Sequence, residues 1–236
     1  MAGDDIHPPS PDGHHELAPY TRVTLRPIGS PLPLGLLALM CAGVLLSLQQ
    51  VGALVPTEGK TIALILLGFV APLMLLAAIF SFLARDAVAG TALGLFAGAW
   101  LATGLSLLSA PVPGATSHAL GAFLVALAAA MLVVVAGASF GKLGPALVIV
   151  VGAARFLVTG LYELDGSSGV EHAAAVVGFV LAGTALYAAL ATVIEDVHGR
   201  TRLPMGRRAR AHDALEGSFD RQLDALEHEA GVRQQL

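Results

Sequence analysis

Six apolar segments between Leu34 and Ile194 dominate the sequence, and each is long enough to cross a lipid bilayer. A hydrocarbon core of about 30 Å requires roughly 20 helical residues. Arg155 is the single charged residue well inside any segment, where a charge costs at least about 2.5 kcal/mol on insertion scales. The pattern predicts an all-α membrane protein with six transmembrane helices, at Leu34–Leu54, Thr61–Leu83, Ala87–Leu108, His118–Gly137, Leu143–Leu161 and His172–Ile194.

The composition and the missing motifs exclude most other classes of protein. Hydrophobic residues make up 56% of the chain and charged residues 13%, which leaves too little polar surface for a soluble fold. The sequence contains no Walker A loop, H-E-x-x-H motif, paired-cysteine motif or basic nucleic-acid face. We therefore expect no enzyme activity, no cofactor, no metal centre and no nucleic-acid partner.

The positive charges indicate the orientation of the helices, because Lys and Arg concentrate on the cytoplasmic side of membrane proteins. If the N-terminus is cytoplasmic, Lys60 is the only such residue on the outer side. Six spans return the chain to its starting side, so both termini are predicted to be cytoplasmic. The inner side then carries Arg22, Arg26, Arg85, Lys142, Arg200, Arg202, Arg207, Arg208 and Arg210.

Three regions follow one another along the chain. Residues 1–29 are rich in His, Pro, Asp and Gly, which predicts a disordered cytoplasmic tail. Residues 30–206 contain the six spans, and residues 207–236 are predicted to form a cytoplasmic amphipathic helical tail. The apolar stripe of this helix either pairs with a copy of itself or lies on the inner membrane surface. The stripe consists of Leu215, Phe219, Leu223, Leu226 and Ala230.

Two features of the spans concern helix shape and helix packing. Pro72 interrupts the second span and is predicted to kink it. Small residues recur every four positions in the third and fourth spans, where they allow close helix packing, either within one subunit or at an oligomer interface. These residues are Gly90, Gly94, Gly98 and Ala102 in the third span and Ala122, Ala126 and Ala130 in the fourth.

The first span follows an unusual entrance motif, Ser30-Pro31-Leu32-Pro33-Leu34-Gly35-Leu36. Its two prolines lack N–H groups and are predicted to keep the backbone extended where the chain enters the membrane. Ser30 is placed to cap the helix that follows. By itself the motif predicts only an atypical helix start.

The same motif resembles the Asn-Pro-x-Pro-Leu-Gly-Leu signature of the acetate/succinate uptake transporters, the YaaH-type family of bacterial and fungal membrane proteins. Ser30 replaces the asparagine, whereas Pro31, Pro33, Leu34, Gly35 and Leu36 fit the signature. The segments 47–52 and 199–206 are similar to two further family motifs, Asn-Leu-His-Asn-Val-Gly and Gly-Arg-Thr-x-Leu-Pro-Ile-Gly. The resemblance therefore covers residues 30–206, which become a predicted six-helix transporter domain.

The resemblance implies a homohexamer in the plasma membrane, the bacterial inner membrane, with a permeation path through each protomer. The implied substrates are small carboxylates, chiefly acetate and in some members succinate, with proton-linked uptake. The family narrows its pore with apolar and aromatic side chains. The matching positions here are Leu39, Phe96 and Val150.

Several positions depart from the family pattern, and each departure removes or alters a hydrogen-bonding group. Ser30, Ser47 and Gln49 replace two asparagines and a histidine, and Phe96 lacks the hydroxyl of a family tyrosine. This chain is therefore expected to prefer a different or more apolar small acid. The residues predicted to line the substrate path are Ser47, Gln49, Gln50, Arg155 and His172.

Arg155 has no counterpart in the family, so its role must be inferred from its chemistry. One interpretation is structural: the side chain snorkels outward or pairs with an acidic group at Glu163, Asp165 or Glu171. The other is functional: the guanidinium attracts anions at the outer mouth, since its geometry matches a carboxylate. His172 likewise either titrates near neutral pH or serves only as a helix-start residue.

The sequence as a whole favours a membrane transporter or channel for small monocarboxylates that acts as a homo-oligomer. The alternative is a scaffold or sensor without transport activity, which would act through the cytoplasmic helix predicted for residues 207–236.

Overall fold

A computed structural model describes residues 29–138, 143–198 and 202–206. Within these ranges, six helices are long and apolar enough to cross a membrane, so the six predicted spans and the all-α class are confirmed. The predicted tails, 1–29 and 207–236, lie outside the described residues except for Gly29. The six helices are α1 (Leu32–Gln50), α2 (Pro56–Leu83), α3 (Ala87–Ser109), α4 (His118–Ala138), α5 (Leu143–Asp165) and α6 (Ser168–His198).

Helix α1 begins earlier than the proline motif predicts. Pro31 caps the helix with helical dihedral angles (φ −79°, ψ −13°), so the predicted extended entrance is wrong. Ser30 provides no side-chain cap hydrogen bond to α1. Proline is favoured at a helix start because its fixed φ is already helical and its missing N–H would have no partner there. The motif therefore starts the helix.

Helix α2 changes its winding just before Pro72. A π-helical turn at Leu66–Val70 precedes the final α-helical segment, Ala71–Leu83, which carries Pro72 in its first turn. A π turn widens the backbone locally, and a proline in a first turn leaves no N–H group unpaired. The helix thus accommodates Pro72 through a change of winding.

Short connections make consecutive helices antiparallel. Gly52 ends α1 with a positive φ of 76°, and its N–H donates to the Gln49 carbonyl at 3.0 Å. The Asp86 side chain caps α3 by accepting from the Ala89 N–H at 2.9 Å. We call the end of the bundle where α1 begins the tail end, and the opposite end the far end.

The six helices form a closed ring in the order α1, α6, α5, α4, α3, α2, and each helix packs against its two neighbours. Glycines permit the closest approaches. A methyl group built at Gly121 would lie 2.8 Å from the Gly160 carbonyl oxygen, between α4 and α5. One built at Gly43 would lie 3.0 Å from the Gly178 carbonyl oxygen, between α1 and α6. The inner faces of α1, α3 and α5 line the centre of the ring.

The two stripes of small residues behave differently. Gly90 is buried against the Phe82 ring, which a methyl group at Gly90 would approach within 2.8 Å, so this end of the α3 stripe packs within the subunit. The α4 stripe, Ala122, Ala126 and Ala130, is exposed. Packing within the subunit is therefore the wrong interpretation for α4, and an oligomer interface remains the prediction for that face.

The chain after α6 returns to the tail end of the ring and caps α5. The carbonyls of Met205 and Gly206 accept the N–H groups of Gly144 and Leu143 at 3.0 and 3.2 Å. The Tyr187 hydroxyl donates to the carbonyl of residue 204 at 3.0 Å. These bonds satisfy N–H groups that the first turn of a helix leaves without partners. The described part of the C-terminal motif thus anchors α5.

Candidate functional site

An apolar cavity of about 180 Å³ lies inside the ring at the tail end. Asp86 carries the only polar side chain among the described lining residues, and that carboxylate is already occupied in capping α3. A water molecule takes about 30 Å³ of liquid volume, so the cavity has room for a small organic molecule. Its walls include Leu32, Leu36, Leu93, Pro145, Val148 and Ile149.

Leu39 and Phe96 line the inner end of this cavity, where the sequence predicts the pore constriction, and we call this level the narrowing. Both side chains are buried, with 0% and 1% of their surfaces exposed. Gly152 faces the Phe96 ring so closely that a methyl group there would lie 2.2 Å from it. The aromatic side chain therefore occupies the space that any residue larger than glycine would need on α5.

An aromatic cluster continues from this narrowing toward the far end. The Phe156 ring packs against Phe96 with centroids 5.4 Å apart and against Trp100 with centroids 5.6 Å apart. Both pairs have the tilted geometry and spacing that aromatic quadrupoles favour. All three rings are buried among the helices.

Val150 does not belong to the narrowing, so that prediction is wrong. Its side chain is 43% exposed on the outside of the protomer, whereas the adjacent Ile149 lines the cavity. Consecutive residues of an α-helix point about 100° apart, so a one-residue difference in alignment moves a side chain off the axis. Ile149 takes the position that was assigned to Val150.

Arg155 lies inside the ring with only 1% of its surface exposed. Its Nη1 donates to Gln50 Oε1 at 2.7 Å and to the Ala174 carbonyl, while Nη2 has no hydrogen-bond partner among the described residues. The guanidinium thus connects α5 to the end of α1 and to α6.

The structural interpretation of Arg155 is therefore wrong in both of its forms. The side chain does not snorkel, because it shares the inward face of α5 with Gly152 and Phe156. Within the described ranges it forms no ion pair with an acidic residue. Glu163 accepts instead from the Ser117 N–H at 2.7 Å, and Asp165 is exposed. The anion-attractor interpretation also changes, since Arg155 is buried and does not lie at an open mouth.

Ser47 and Gly178 complete the surroundings of Arg155. The Ser47 side chain is fully buried, and its Oγ has no partner among the described residues. A methyl group at Gly178 would lie 2.1 Å from Ser47 Oγ and 3.1 Å from Arg155 Cζ. The absence of a side chain on α6 thus lets the two polar groups converge. We call Arg155, Ser47, Gln50 and Gly178 the arginine cluster.

The other predicted path residues lie outside the arginine cluster. Gln49 lines a second cavity, of about 300 Å³, at the far end together with Lys60. His172 is exposed on the first turn of α6, where its Nδ1 lies 2.6 Å from the Ser168 carbonyl oxygen. Ser30 is exposed at the start of α1. Of the predicted path residues, the structure brings together Ser47, Gln50 and Arg155.

Four residues of the site were not predicted from the sequence. Gly152, Phe156 and Ile149 share one face of α5 at helical spacing, and this periodicity was the signal available for finding them. Nothing in the sequence places Gly178 against Arg155. Its role depends on how α1, α5 and α6 pack together.

The architecture defines a multi-pass membrane protein whose helices enclose a central site. The chain belongs to the GPR1/FUN34/yaaH family, whose model matches residues 13–205. The solved structure of the bacterial acetate channel SatP is similar, with a TM-score of 0.67 and 22% sequence identity over 76% of this chain and 99% of that one. At this identity the likeness establishes a shared fold. A search of curated proteins finds no match. The family predicted from the sequence motifs is confirmed.

Proposed function

We propose that the protein is a transporter or channel that carries small monocarboxylates such as acetate across the plasma membrane. The observation that carries this proposal is the small apolar cavity inside the ring, which Leu39 and Phe96 line at its inner end. Membership of the family and the fold shared with an acetate channel support the same substrate class. Succinate and proton linkage, which the family resemblance implies, belong to the same proposal.

The narrowing sets the mechanism that we propose. An apolar constriction excludes water and inorganic ions because they lose hydration there without gaining new partners. A small carboxylic acid or its anion has an apolar end that Leu39 and Phe96 can contact. Passage requires Phe96 to move, and Gly152 is the neighbour that limits its position. We expect this ring to act as the gate.

The orientation and the assembly are further parts of the proposal. Both termini are placed in the cytoplasm because Lys60 is the only cation predicted on the outer side. A homohexamer would bury the exposed face of Ala122, Ala126 and Ala130 on α4. Small residues favour such contacts because they allow helix backbones to approach closely in lipid.

The test is uptake of radiolabelled acetate into liposomes that contain the purified full-length protein, measured from about pH 5 to pH 8. Empty liposomes of the same lipid provide the blank. We expect saturable uptake that excess unlabelled acetate suppresses, and unlabelled succinate tests the second substrate. Uptake no faster than the blank across this range would contradict the proposal.

A further inference from the structure

Arg155 carries a charge in the middle of the bundle without a compensating charge. No acidic residue in the described ranges forms an ion pair with it, and its two partners, Gln50 and the Ala174 carbonyl, are neutral. A buried ion is costly unless it is paired and fully hydrogen-bonded. The site therefore favours an anion that the described residues do not provide.

Two buried hydrogen-bond donors of the arginine cluster are unused. Arg155 Nη2 and Ser47 Oγ are both buried and have no partners within the described part of the chain. Both side chains converge on Gly178, which has no side chain to separate them. Buried polar atoms in native proteins nearly always have partners, so two unpaired atoms on side chains that converge on Gly178 point to a ligand of this cluster.

We infer that the arginine cluster is a binding subsite for the carboxylate of a small monocarboxylate anion. One carboxylate oxygen accepts from Arg155 Nη2 and the other from Ser47 Oγ. Gln50 holds Nη1 and so orients the guanidinium. The assignment of the ligand as the transported substrate rests on the proposed function, whereas the anion requirement follows from the buried charge.

The location of the subsite gives it a role in transport. Arg155 precedes Phe156, the ring that packs against both Phe96 and Trp100. On α5 it lies about one helical turn beyond Gly152, so an anion held here lies at the level of the aromatic cluster. The subsite therefore selects the charged carboxylate, whereas the narrowing at Leu39 and Phe96 selects for small size.

Trp100 provides the readout, because it is the only tryptophan of the chain and packs on Phe156. Purified full-length protein in detergent is titrated with sodium acetate while tryptophan emission is recorded at constant ionic strength. Acetamide serves as a neutral ligand of similar shape, and chloride as a spherical anion. We expect a saturable change with acetate, none with acetamide and a weaker one with chloride. An equal response to acetate and acetamide, or to acetate and chloride, overturns the inference.

Variants test whether the change in tryptophan emission comes from acetate bound at the arginine cluster. Arg155→Gln removes the charge, and we expect the half-saturating acetate concentration to rise about tenfold or more. Ser47→Ala removes one neutral donor, and the expected rise is about two- to tenfold. Arg202→Gln changes an exposed arginine at the tail end and is the matched control, with an unchanged titration. Equal acetate responses in wild type and Ser47→Ala would contradict the assignment of Ser47.

Folding is checked by gel filtration and by the thermal melt of each variant. If Arg155→Gln does not fold, Arg155→Lys replaces it. This variant keeps the charge but loses the planar fork, so we expect the half-saturating acetate concentration to rise above that of wild type by less than about tenfold. Titrations of Arg155→Lys and Ser47→Ala that both match wild type overturn the inference.

The liposome assay separates this inference from the proposed function. If wild type takes up acetate and Arg155→Gln does so with the same concentration dependence, the inference fails while the function stands. If wild type shows an acetate titration that depends on Arg155 but no uptake, the subsite stands and the transport function fails.

Discussion

The narrowing and the arginine cluster share helices α1 and α5 but show opposite physical chemistry. At the narrowing, Leu39 and Phe96 are buried and apolar, and Gly152 leaves no space for a side chain beside the Phe96 ring. One helical turn further along α5, Arg155 has unused hydrogen-bonding capacity. The difference indicates two separate roles. The narrowing excludes large molecules by its shape, and the arginine cluster attracts anions by its charge.

Of the substitutions that test these two roles, Phe96→Ala is expected to have the largest effect on stability and uptake. Removing the ring leaves a void at the narrowing, and we expect the free energy of unfolding to fall by roughly 3 kcal/mol. This is the lower end for such a change because lipid is as apolar as the protein interior. Uptake should lose size selection, so that longer carboxylates compete with labelled acetate. Unchanged competition by butyrate and hexanoate would show that Phe96 is not the gate.

Ile149→Ala and Val150→Ala test which residue of α5 lies at the axis. Ile149 lines the cavity, so its truncation is expected to cost about 2 kcal/mol and to alter acetate uptake. Val150 is exposed, so its truncation should change stability by less than about 0.5 kcal/mol. Thermal melts and uptake rates of the two variants provide the comparison. If Val150→Ala changed uptake more than Ile149→Ala, the prediction that Val150 lies at the narrowing would be correct.

Gly152→Ala tests the close contact with Phe96. The added methyl group would lie 2.2 Å from the ring and must displace it. Overpacking is expected to outweigh the helix propensity gained by alanine and to cost about 1–2 kcal/mol. We expect slower acetate uptake, because a displaced ring moves toward the tail-end cavity. Gly183→Ala is the matched control, since a methyl group there has no atom within 4 Å. Similar losses of uptake in both variants would point to a general effect of the substitution.

The smallest effect is expected from Asp86→Ala, which removes the only polar side chain among the described residues lining the tail-end cavity. The carboxylate caps α3, so its loss should cost about 1 kcal/mol of stability. Asp86→Asn retains a capping oxygen and should recover most of that loss. Uptake should stay near wild type in both variants, because Asp86 is occupied by the Ala89 N–H. A large loss of uptake in Asp86→Asn would show that the Asp86 carboxylate, at the tail end, takes part in transport.

The sequence predicted the fold better than it predicted the site. The spans were recognisable because a bilayer demands about 20 apolar residues per helix whatever the neighbouring helices do. Leu39 could be assigned to the cavity because the entrance motif and the segment 47–52 flank it on α1, and Phe96 lines the same cavity. In α5 the alignment was less secure, and a shift of one residue exchanged the exposed Val150 for the axial Ile149.

The amino-acid sequence alone thus determined that this protein spans a lipid bilayer, how many membrane helices it has and to which family it belongs. Only the tertiary structure decided the neighbours of Arg155. A side chain on a helix has several possible partners until the rotation of that helix is set by its packing. Here the glycines at positions 152 and 178 allow α3 and α1 to approach α5 and α6 so closely that Arg155 turns inward toward Ser47 and Gln50.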